Sequence, residues 1–330
     1  MGSSAASATC LRAIMREDSL HVAGVVTQPD RPAGRGKALT PCPCKAFAAS
    51  HGVAEIITPE NVNSPDSLEK IASWRPDVIA VVAFGQFLKA PLLSLPPLGC
   101  INCHFSLLPK YRGASPVTAA IASGDKLTGV SVMRMGPGMD DGPVLMQSYE
   151  PIYSDATGGD LMDGLAVAGG ITLAKTLRLM SEGKTPQEVA QNEADATYAK
   201  KLKKSDGLVR WDEPVLVIER KIRAYSPWPC CHTFLPERFR RKGNTGRVTI
   251  VKAEIVPALE PGWKDAAPGT VLKCLTVRRK GSGAVGPVVK CGDTALVLTV
   301  LKPEGGAEMD GKAFLMGRRL EEMGDRFLGE

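Results

Sequence analysis

Short apolar runs alternate with amphipathic stretches along the first half of the chain. The runs lie at 21–26, 53–58, 77–84 and 99–104, and the segments between them carry apolar residues at helical spacing. Apart from Asp77 at its start, the run at 77–84 is continuously apolar, which is typical of a parallel strand covered on both faces. Strands that alternate with helices predict an α/β fold built on a doubly wound parallel sheet.

The pattern changes in the second half. Residues 211–225 have the periodicity of an amphipathic helix, and short alternating apolar runs separated by glycine and proline follow them. Such runs predict a small β-barrel with the strand spacing of an oligonucleotide-binding (OB-like) fold. Residues 183–206 are polar and lack strong periodicity, as a linker does. We therefore predict a first domain over 1–182, a linker over 183–206 and a β-barrel domain over 207–330.

Charge is distributed unevenly over the 330 residues. Residues 1–199 hold 16 lysines and arginines against 19 acidic residues, whereas residues 200–330 hold 25 against 16. A mildly acidic part joined to a basic part indicates chemistry in the first and contact with a polyanion in the second. A basic surface that only keeps the protein in solution is the alternative.

The composition argues against several classes of protein. No apolar run approaches the roughly 18–20 residues that a membrane span needs. Nine cysteines without a regular spacing indicate a reducing compartment rather than a disulfide scaffold. Cys100 and Cys103 project to opposite faces of a strand, which is unsuitable for binding one metal ion, so no metal is expected.

The candidate chemistry centres on residues 101–113, INCHFSLLPKYRG. Because side chains alternate along a strand, Asn102 and His104 project to the same side where the apolar strand ends. A second strand leads into a glycine- and proline-rich turn that carries Asp140 and Asp141. An amide that donates to an oxyanion, an imidazole that handles a proton and a carboxylate that orients it would form an acyl-transfer site. The alternative is a histidine and an asparagine with structural partners, and an aspartate that forms a turn.

Two loops are candidates for binding. Residues 27–45 are basic and rich in glycine and proline, so we expect them to be irregular, and Arg35 and Lys37 can contact phosphate. A solvated loop without a ligand is the alternative. The second loop supplies apolar side chains that can form the wall of a pocket: Phe84, Phe87 and Leu88.

These segments resemble the methionyl-tRNA formyltransferases of the formyltransferase-hydrolase superfamily, and the likeness covers nearly the whole chain. The superfamily is marked by the pair SLLP-x-YRG (106–113) and GMDDG (138–142). Three further segments narrow the resemblance to the tRNA enzyme: TQPDRPAGRGK (27–37), WDEP…IRAYSPWP (211–229) and LKPEGGAEMDGKAFLMG (301–317).

The resemblance implies a Rossmann-like catalytic domain followed by a β-barrel domain that helps to hold tRNA. Such an enzyme would move a formyl group from 10-formyltetrahydrofolate to the α-amino group of initiator methionyl-tRNA, for translation initiation. Neither a metal nor a membrane is implied, and the protein would be a monomer. Its compartment would be a bacterial cytoplasm or the matrix of a mitochondrion or plastid.

The resemblance also assigns roles to residues. The catalytic trio would be Asn102, His104 and Asp140, with Asp140 preferred to Asp141 because it follows the Gly-x pair. The folate would lie against seven residues near the strand ends: Phe84, Gly85, Phe87, Leu88, Ser106, Leu107 and Pro109. The acceptor stem of the tRNA would approach three basic residues: Arg31, Arg35, which matches the family's key basic residue, and Lys37.

Two features depart from the family pattern. The family opens with an apolar strand and a short turn, whereas here residues 2–4 match the turn and no strand precedes them, which indicates a truncated gene model. A sheet without that central strand would expose the edges of its neighbours. Phe105 stands where a small residue is common, and its ring is expected to narrow the site.

Two other functions are open at this point. One is another formyltetrahydrofolate enzyme of the superfamily: glycinamide ribonucleotide formyltransferase, formyltetrahydrofolate hydrolase or a sugar-nucleotide formyltransferase. The basic second half and the basic loop argue against these enzymes. The other is a catalytically inactive RNA-binding relative, which the missing strand and Phe105 suggest.

Arg35 provides a test of the basic loop. Replacing Arg35 with alanine should raise the KM for tRNA and leave the KM for the folate nearly unchanged, because the guanidinium is expected to contact only the acceptor stem. Steady-state formylation kinetics, with each substrate varied in turn, measure both constants. Equal effects on the two KM values would contradict the role assigned to Arg35.

Overall fold

The chain folds into two units. The computed structural model describes residues 1–33, 36, 38–240, 243–279, 282–318 and 325–327. The first unit comprises Met1–Val117, Lys126–Ile152 and Asp160–Lys200, and the second comprises Thr118–Asp125, Tyr153–Gly159 and Lys201–Glu330. Residues 183–200 of the expected linker, 183–206, therefore belong to the first unit.

Six helices and ten strands precede residue 201 in the described part of the chain. The helices are α1 (Ala5–Ile14), α2 (Pro43–Ser50), α3 (Pro65–Ser73), α4 (Ala90–Leu93), α5 (Pro116–Ser123) and α6 (Gly158–Ser181). The strands are β1 (Val25–Val26), β2 (Arg31–Ala33), β3 (Ala38–Thr40), β4 (Ile56–Ile57), β5 (Ile79–Val81), β6 (Cys100–His104), β7 (Arg112–Gly113), β8 (Leu127–Arg134), β9 (Val144–Pro151) and β10 (Tyr198–Ala199). The same described part also contains a 3₁₀ turn, Glu193–Asp195, between α6 and β10.

The strands of the first unit form the expected α/β arrangement. β1 pairs with β4 and β5 pairs with β6, both in parallel, and helices connect them. β8 and β9 are antiparallel to their neighbours, so the parallel order does not extend to that edge of the sheet. The connection between β8 and β9 is too short to hold a crossover helix, and an antiparallel pairing is the arrangement that a short connection allows.

Residues 1–3 lie between the two parallel strand pairs and are hydrogen-bonded to both. The Met1 amino group donates to Ala80 O at 2.6 Å, and Val82 N donates to Met1 O at 2.9 Å. On the other side, Gly2 N donates to Val26 O at 3.0 Å. The chain then turns into α1, which begins with a capping box formed by two serines.

A cavity of about 620 Å³ extends from Met1 along the same gap, and residues from both neighbouring segments line it. Burial lowers the pKa of the amino group of Met1, which is one of the residues that line this cavity. β1 and β5 are shorter than the runs at 21–26 and 77–84 that predicted them. The regular part of each strand lies where it pairs with a neighbouring strand, β1 with β4 and β5 with β6.

The basic loop contains a hairpin that the sequence reading missed. β2 and β3 pair antiparallel, with Arg31 opposite Thr40. The expectation that the loop would be irregular throughout was therefore wrong. A two-stranded ribbon has two free edges, so it accepts the proline that β2 contains. Arg35 and Lys37 lie outside the described residues.

From residue 201 onward, the described part of the second unit contains the all-β pattern that was expected, together with two helices. Its elements are α7 (Val215–Ala224), β11 (Cys231–Phe234), β12 (Arg247–Ile255), β13 (Val271–Arg279), β14 (Ser282–Lys290), β15 (Ala295–Pro303), β16 (Met309–Asp310) and α8 (Gly311–Arg318), with 3₁₀ turns at Lys204–Gly207, Glu237–Phe239 and Pro261–Trp263. The antiparallel sheet has the order β11-β12-β15-β14-β13, and β16 pairs with β15. Among the described residues no pairing joins β13 to β11, so the sheet is curled but open.

Both faces of β15 are buried in the second unit. Leu296 and Leu298 belong to a core cluster that includes Ile218 of α7, whereas Val297 belongs to a second cluster around Trp263. This alternation explains why the segment reads as a continuous apolar run. Within the described ranges, no helix of either unit is both long and apolar enough to cross a membrane.

Candidate active site

β6 and the residue that follows it carry two polar side chains on one face and two apolar packing groups on the other. Asn102 is half-buried and His104 is buried. Cys103 and Phe105 point the opposite way, towards α6, where a Cβ added at Gly169 would lie 3.0 Å from Cys103 Sγ and 3.1 Å from Phe105 Cε1. The expectation that Phe105 narrows the site was therefore wrong, because strand alternation places its ring on the helix side.

The Asp140 carboxylate lies where these polar side chains converge. Its Oδ2 accepts a hydrogen bond from Gly113 N at 2.8 Å and lies 3.6 Å from His104 Nδ1, while its Oδ1 accepts from Asn102 Nδ2 at 3.4 Å. The other ring nitrogen of His104, Nε2, lies 2.9 Å from Tyr111 O, a carbonyl that only accepts, so Nε2 is the donor. The structure thus brings together the amide, the imidazole and the carboxylate that the sequence singled out.

The local backbone distinguishes Asp140 from Asp141. Asp140 has a φ of +53°, in the left-handed region, which turns its carboxylate towards β6. Asp141 is exposed, and its carboxylate lies over Gly138, where an added Cβ would be 1.9 Å from Asp141 Oδ2. The preference for Asp140 thus agrees with its place beside His104, although its catalytic role stays a prediction.

The loop after β6 is held by a network of buried hydroxyl groups. Ser106 is fully buried, and its Oγ donates to Lys110 O at 2.6 Å. Ser131 on β8 donates to Ser106 O at 2.7 Å and accepts from Leu108 N at 3.0 Å. The Ser106 hydroxyl therefore stabilises the conformation of the loop, and in this conformation the Tyr111 carbonyl lies within hydrogen-bond distance of His104.

Arg112 follows Tyr111 and is 1% exposed. Its guanidinium binds both carboxylate oxygens of Glu193, at 2.6 and 2.9 Å, and its Nε donates to Gln191 Oε1 at 3.0 Å. The hydrogen bonds with Glu193 raise the pKa of Arg112 and lower that of Glu193. These contacts, together with the parallel pairing of β7 with β10, hold segment 189–199 against Arg112 and its neighbours.

The residues expected to contact folate fall into two groups. Phe84 and Leu88 are buried in the core cluster of the first unit, so their side chains stabilise the loop rather than wall an open pocket. Gly85 has a φ of +83°, and Phe87 is 69% exposed. Of the remaining three, Ser106 is fully buried and bonds within its own loop, whereas Leu107 and Pro109 are half-buried.

The cavity of about 620 Å³ contains none of the catalytic candidates. Among the described residues there is no group of three or more histidine, cysteine, aspartate or glutamate side chains that could hold a metal ion. Of the three residues expected to meet tRNA, Arg31 is exposed on β2, and Arg35 and Lys37 lie outside the described residues.

Sequence reasoning missed Arg112, Gln191 and Glu193. Arg112 stands inside the YRG motif, where a buried arginine requires a partner, and that requirement was the available signal. Gln191 and Glu193 lie in the polar segment that was interpreted as a linker. Their partners are distant in sequence, so no local periodicity indicates them.

Two family models match the chain: a formyl transferase model over residues 2–177 and a formyl transferase C-terminal domain model over residues 201–319. Similar relatives include methionyl-tRNA formyltransferases from Symbiobacterium thermophilum, 40% identical over 327 residues, and from Pseudomonas putida, 38% identical over 320 residues. The matches cover 99% and 97% of this chain, and 94% and 95% of those proteins.

Two solved structures share the fold at low sequence identity. HypX from Aquifex aeolicus in complex with tetrahydrofolic acid has a TM-score of 0.57 at 14% identity, over 91% of this chain and 48% of that one. An N-formyltransferase from Helicobacter canadensis in complex with folinic acid and dTDP-3-aminofucose has a TM-score of 0.56 at 14% identity, over 90% and 96%.

The ion pair between Arg112 and Glu193 predicts a pH-dependent stability. Because the pKa of Glu193 is lowered in the folded state, the pair stabilises the fold above the ordinary glutamate pKa of 4.5 and is lost as the pH falls through the lowered value. Glu193→Gln should therefore lower the thermal unfolding midpoint at pH 7, and its difference from wild type should shrink below pH 4.5.

Glu188→Gln is the matched control for this substitution. Glu188 also pairs with an arginine, but that arginine, Arg134, is 28% exposed in its side chain, whereas the side chain of Arg112 is 2% exposed. We expect a smaller change in the midpoint for Glu188→Gln. Equal thermal unfolding midpoints for Glu193→Gln and wild type at pH 7 would contradict the claim that the ion pair between Arg112 and Glu193 stabilises the fold.

Proposed function

The chain belongs to the formyl transferase family, among the methionyl-tRNA formyltransferases, and on that premise we propose that it formylates the amino group of methionyl-tRNA. The formyl donor is 10-formyltetrahydrofolate and the acceptor is the initiator tRNA, whose formylated methionine starts translation. Since relatives such as those of Symbiobacterium and Pseudomonas are bacterial, a bacterial cytoplasm or an organelle matrix is the expected compartment.

The convergence of Asn102, His104 and Asp140 is the observation that best supports this proposal. An amide donor and an imidazole lie within 3.4 and 3.6 Å of one carboxylate, at the carboxyl end of a parallel strand. In open α/β sheets, ligands bind at that end of the strands. The three groups are those that transfer of an acyl group to an amine requires.

We assign to Asn102 the stabilisation of the negative charge that develops during the transfer. In the transfer, a bond forms between the methionyl nitrogen and the formyl carbon, and the bond from that carbon to the folate nitrogen breaks. The formyl oxygen carries negative charge at the tetrahedral stage between these events. Asn102 Nδ2 has two protons, and since it donates one to Asp140, the second can stabilise this oxygen.

We assign to His104 the transfer of a proton from the attacking amine to the folate nitrogen. The amine becomes positively charged as it attacks, so one proton must leave it and another must reach the folate nitrogen that departs. Because Nε2 donates to the Tyr111 carbonyl, Nδ1 is the nitrogen left to accept and return this proton. Asp140 lies beside Nδ1 and stabilises the imidazolium that forms.

Substrate contacts follow from family membership and position. Of the seven folate candidates, we assign direct contact to four and packing of the surrounding loops to the others; the four are Gly85, Phe87, Leu107 and Pro109. The tRNA is held by the basic loop and by the basic second unit. Arg31, Arg35 and Lys37 are the loop residues that would meet its phosphates.

His104→Ala tests the proposal, with His21→Ala as its control. His104→Ala should lower kcat/KM for initiator methionyl-tRNA by about 10²–10⁴-fold, because the proton transfer loses its carrier. His21 is an exposed histidine of the same unit, and His21→Ala should keep the wild-type rate. Incorporation of labelled formyl groups from 10-formyltetrahydrofolate measures the rate, with glycinamide ribonucleotide and an amino-sugar nucleotide as parallel acceptors.

Three results would contradict the proposal. Equal rates for His104→Ala and wild type would remove the catalytic role of the histidine. Transfer by the wild type to a small acceptor but not to charged initiator tRNA would place the chain with the other enzymes of the superfamily. A wild type that binds tRNA and transfers nothing would be the inactive RNA-binding relative.

A further inference from the structure

Gln191 connects the peptide of Asp140 to a buried arginine. Its Nε2 donates to Asp140 O at 2.8 Å and to Gly142 O at 2.7 Å, while its Oε1 accepts from Arg112 Nε at 3.0 Å. A carboxamide has two N–H donors and one carbonyl acceptor. The three contacts therefore use both donors and the acceptor, and they fix the amide in one orientation.

These contacts hold a strained turn. The left-handed φ of +53° at Asp140 is uncommon for residues other than glycine, although aspartate tolerates it better than most. The two carbonyls that Gln191 binds bracket Asp141, so the peptide is held on both sides of that residue. The Asp140 carboxylate is thereby kept 2.8 Å from Gly113 N and 3.6 Å from His104 Nδ1.

Arg112, which binds Gln191, is also next to the second partner of His104, the Tyr111 carbonyl. Arg112 N donates to Thr197 O at 2.8 Å, and the preceding residue, Tyr111, supplies the carbonyl that binds His104 Nε2. Tyr111 N donates to Thr197 Oγ1 at 2.8 Å. Both protein partners of the imidazole are therefore tied to the same polar segment, on one side through Gln191 and on the other through Thr197.

We propose that Gln191 is a positioning residue for formyl transfer, which acts through the Asp140 backbone and does not touch the reacting atoms. The inference rests on the proposed function and adds a residue that lies outside the sequence motifs. It requires that loss of the Gln191 amide should change the rate of the chemical step and leave the binding of both substrates unchanged.

Gln191→Met and Gln187→Met form a matched pair. Methionine keeps the length of the side chain and removes the donors and the acceptor. Gln191→Met should lower kcat by roughly 10–100-fold with both KM values unchanged, since small displacements of a catalytic group have effects of this size. Gln187 is exposed in the same polar segment, and Gln187→Met should keep the wild-type kcat. A wild-type kcat for Gln191→Met would overturn the inference.

A double-substitution cycle separates positioning from a general structural role. If Gln191 acts through Asp140, Gln191→Met should reduce kcat little or not at all in a protein that already carries Asp140→Ala. A reduction in the Asp140→Ala background as large as in the wild-type background would show that Gln191 acts elsewhere, and it would overturn the inference.

Hydrogen–deuterium exchange gives a result that does not depend on activity. Backbone exchange within residues 136–142 should be faster in Gln191→Met than in wild type and in Gln187→Met, because two carbonyl contacts of that loop are lost. Unchanged exchange would overturn the inference even if the wild type were inactive towards tRNA. An inactive wild type with faster exchange in Gln191→Met would overturn the proposed function and leave the positioning of Asp140 supported.

Discussion

The Asp140 carboxylate joins parts of the first unit that are distant in sequence. It accepts a hydrogen bond from the N–H of Gly113 on β7, and it lies beside His104 on β6. Its backbone is left-handed, so the place of the carboxylate depends on contacts from outside the turn rather than on local preference. Those contacts come from Gln191, and through them the amide, the imidazole and the carboxylate share one site.

A buried charge orders the segment that supplies these contacts. Removing a guanidinium from water costs several kcal/mol per ion unless paired groups offset it, and Arg112 is 1% exposed. Its bidentate partner, Glu193, lies 81 residues later in the chain. Polar contacts, the short β7–β10 pairing and a backbone bridge between Val144 and Val189 hold the segment around Glu193 in place. The same contacts that satisfy the arginine also present Gln191 to the Asp140 turn.

Features that follow from burial and alternation were predictable from the sequence. The strand predicted at 99–104 is β6, Cys100–His104, and alternation placed Asn102 and His104 on one side. The same rule, applied to Phe105, would have put its ring against α6, whereas family comparison alone led to the wrong expectation. The pairing of β2 with β3 was missed because glycine and proline obscure strands as short as three residues. Gln191 was beyond prediction, because a polar contact between distant segments leaves no period to detect.

The amide proton of Gly113 reports on the central contact most directly, since it donates to Asp140 Oδ2 at 2.8 Å. Its exchange rate can be measured by nuclear magnetic resonance on protein labelled with nitrogen-15 glycine, in wild type and in Asp140→Ala. A hydrogen bond to a charged group contributes enough for its loss to accelerate exchange about tenfold, so we expect slow exchange in wild type and faster exchange in Asp140→Ala. The same exchange rate in both proteins would contradict the account.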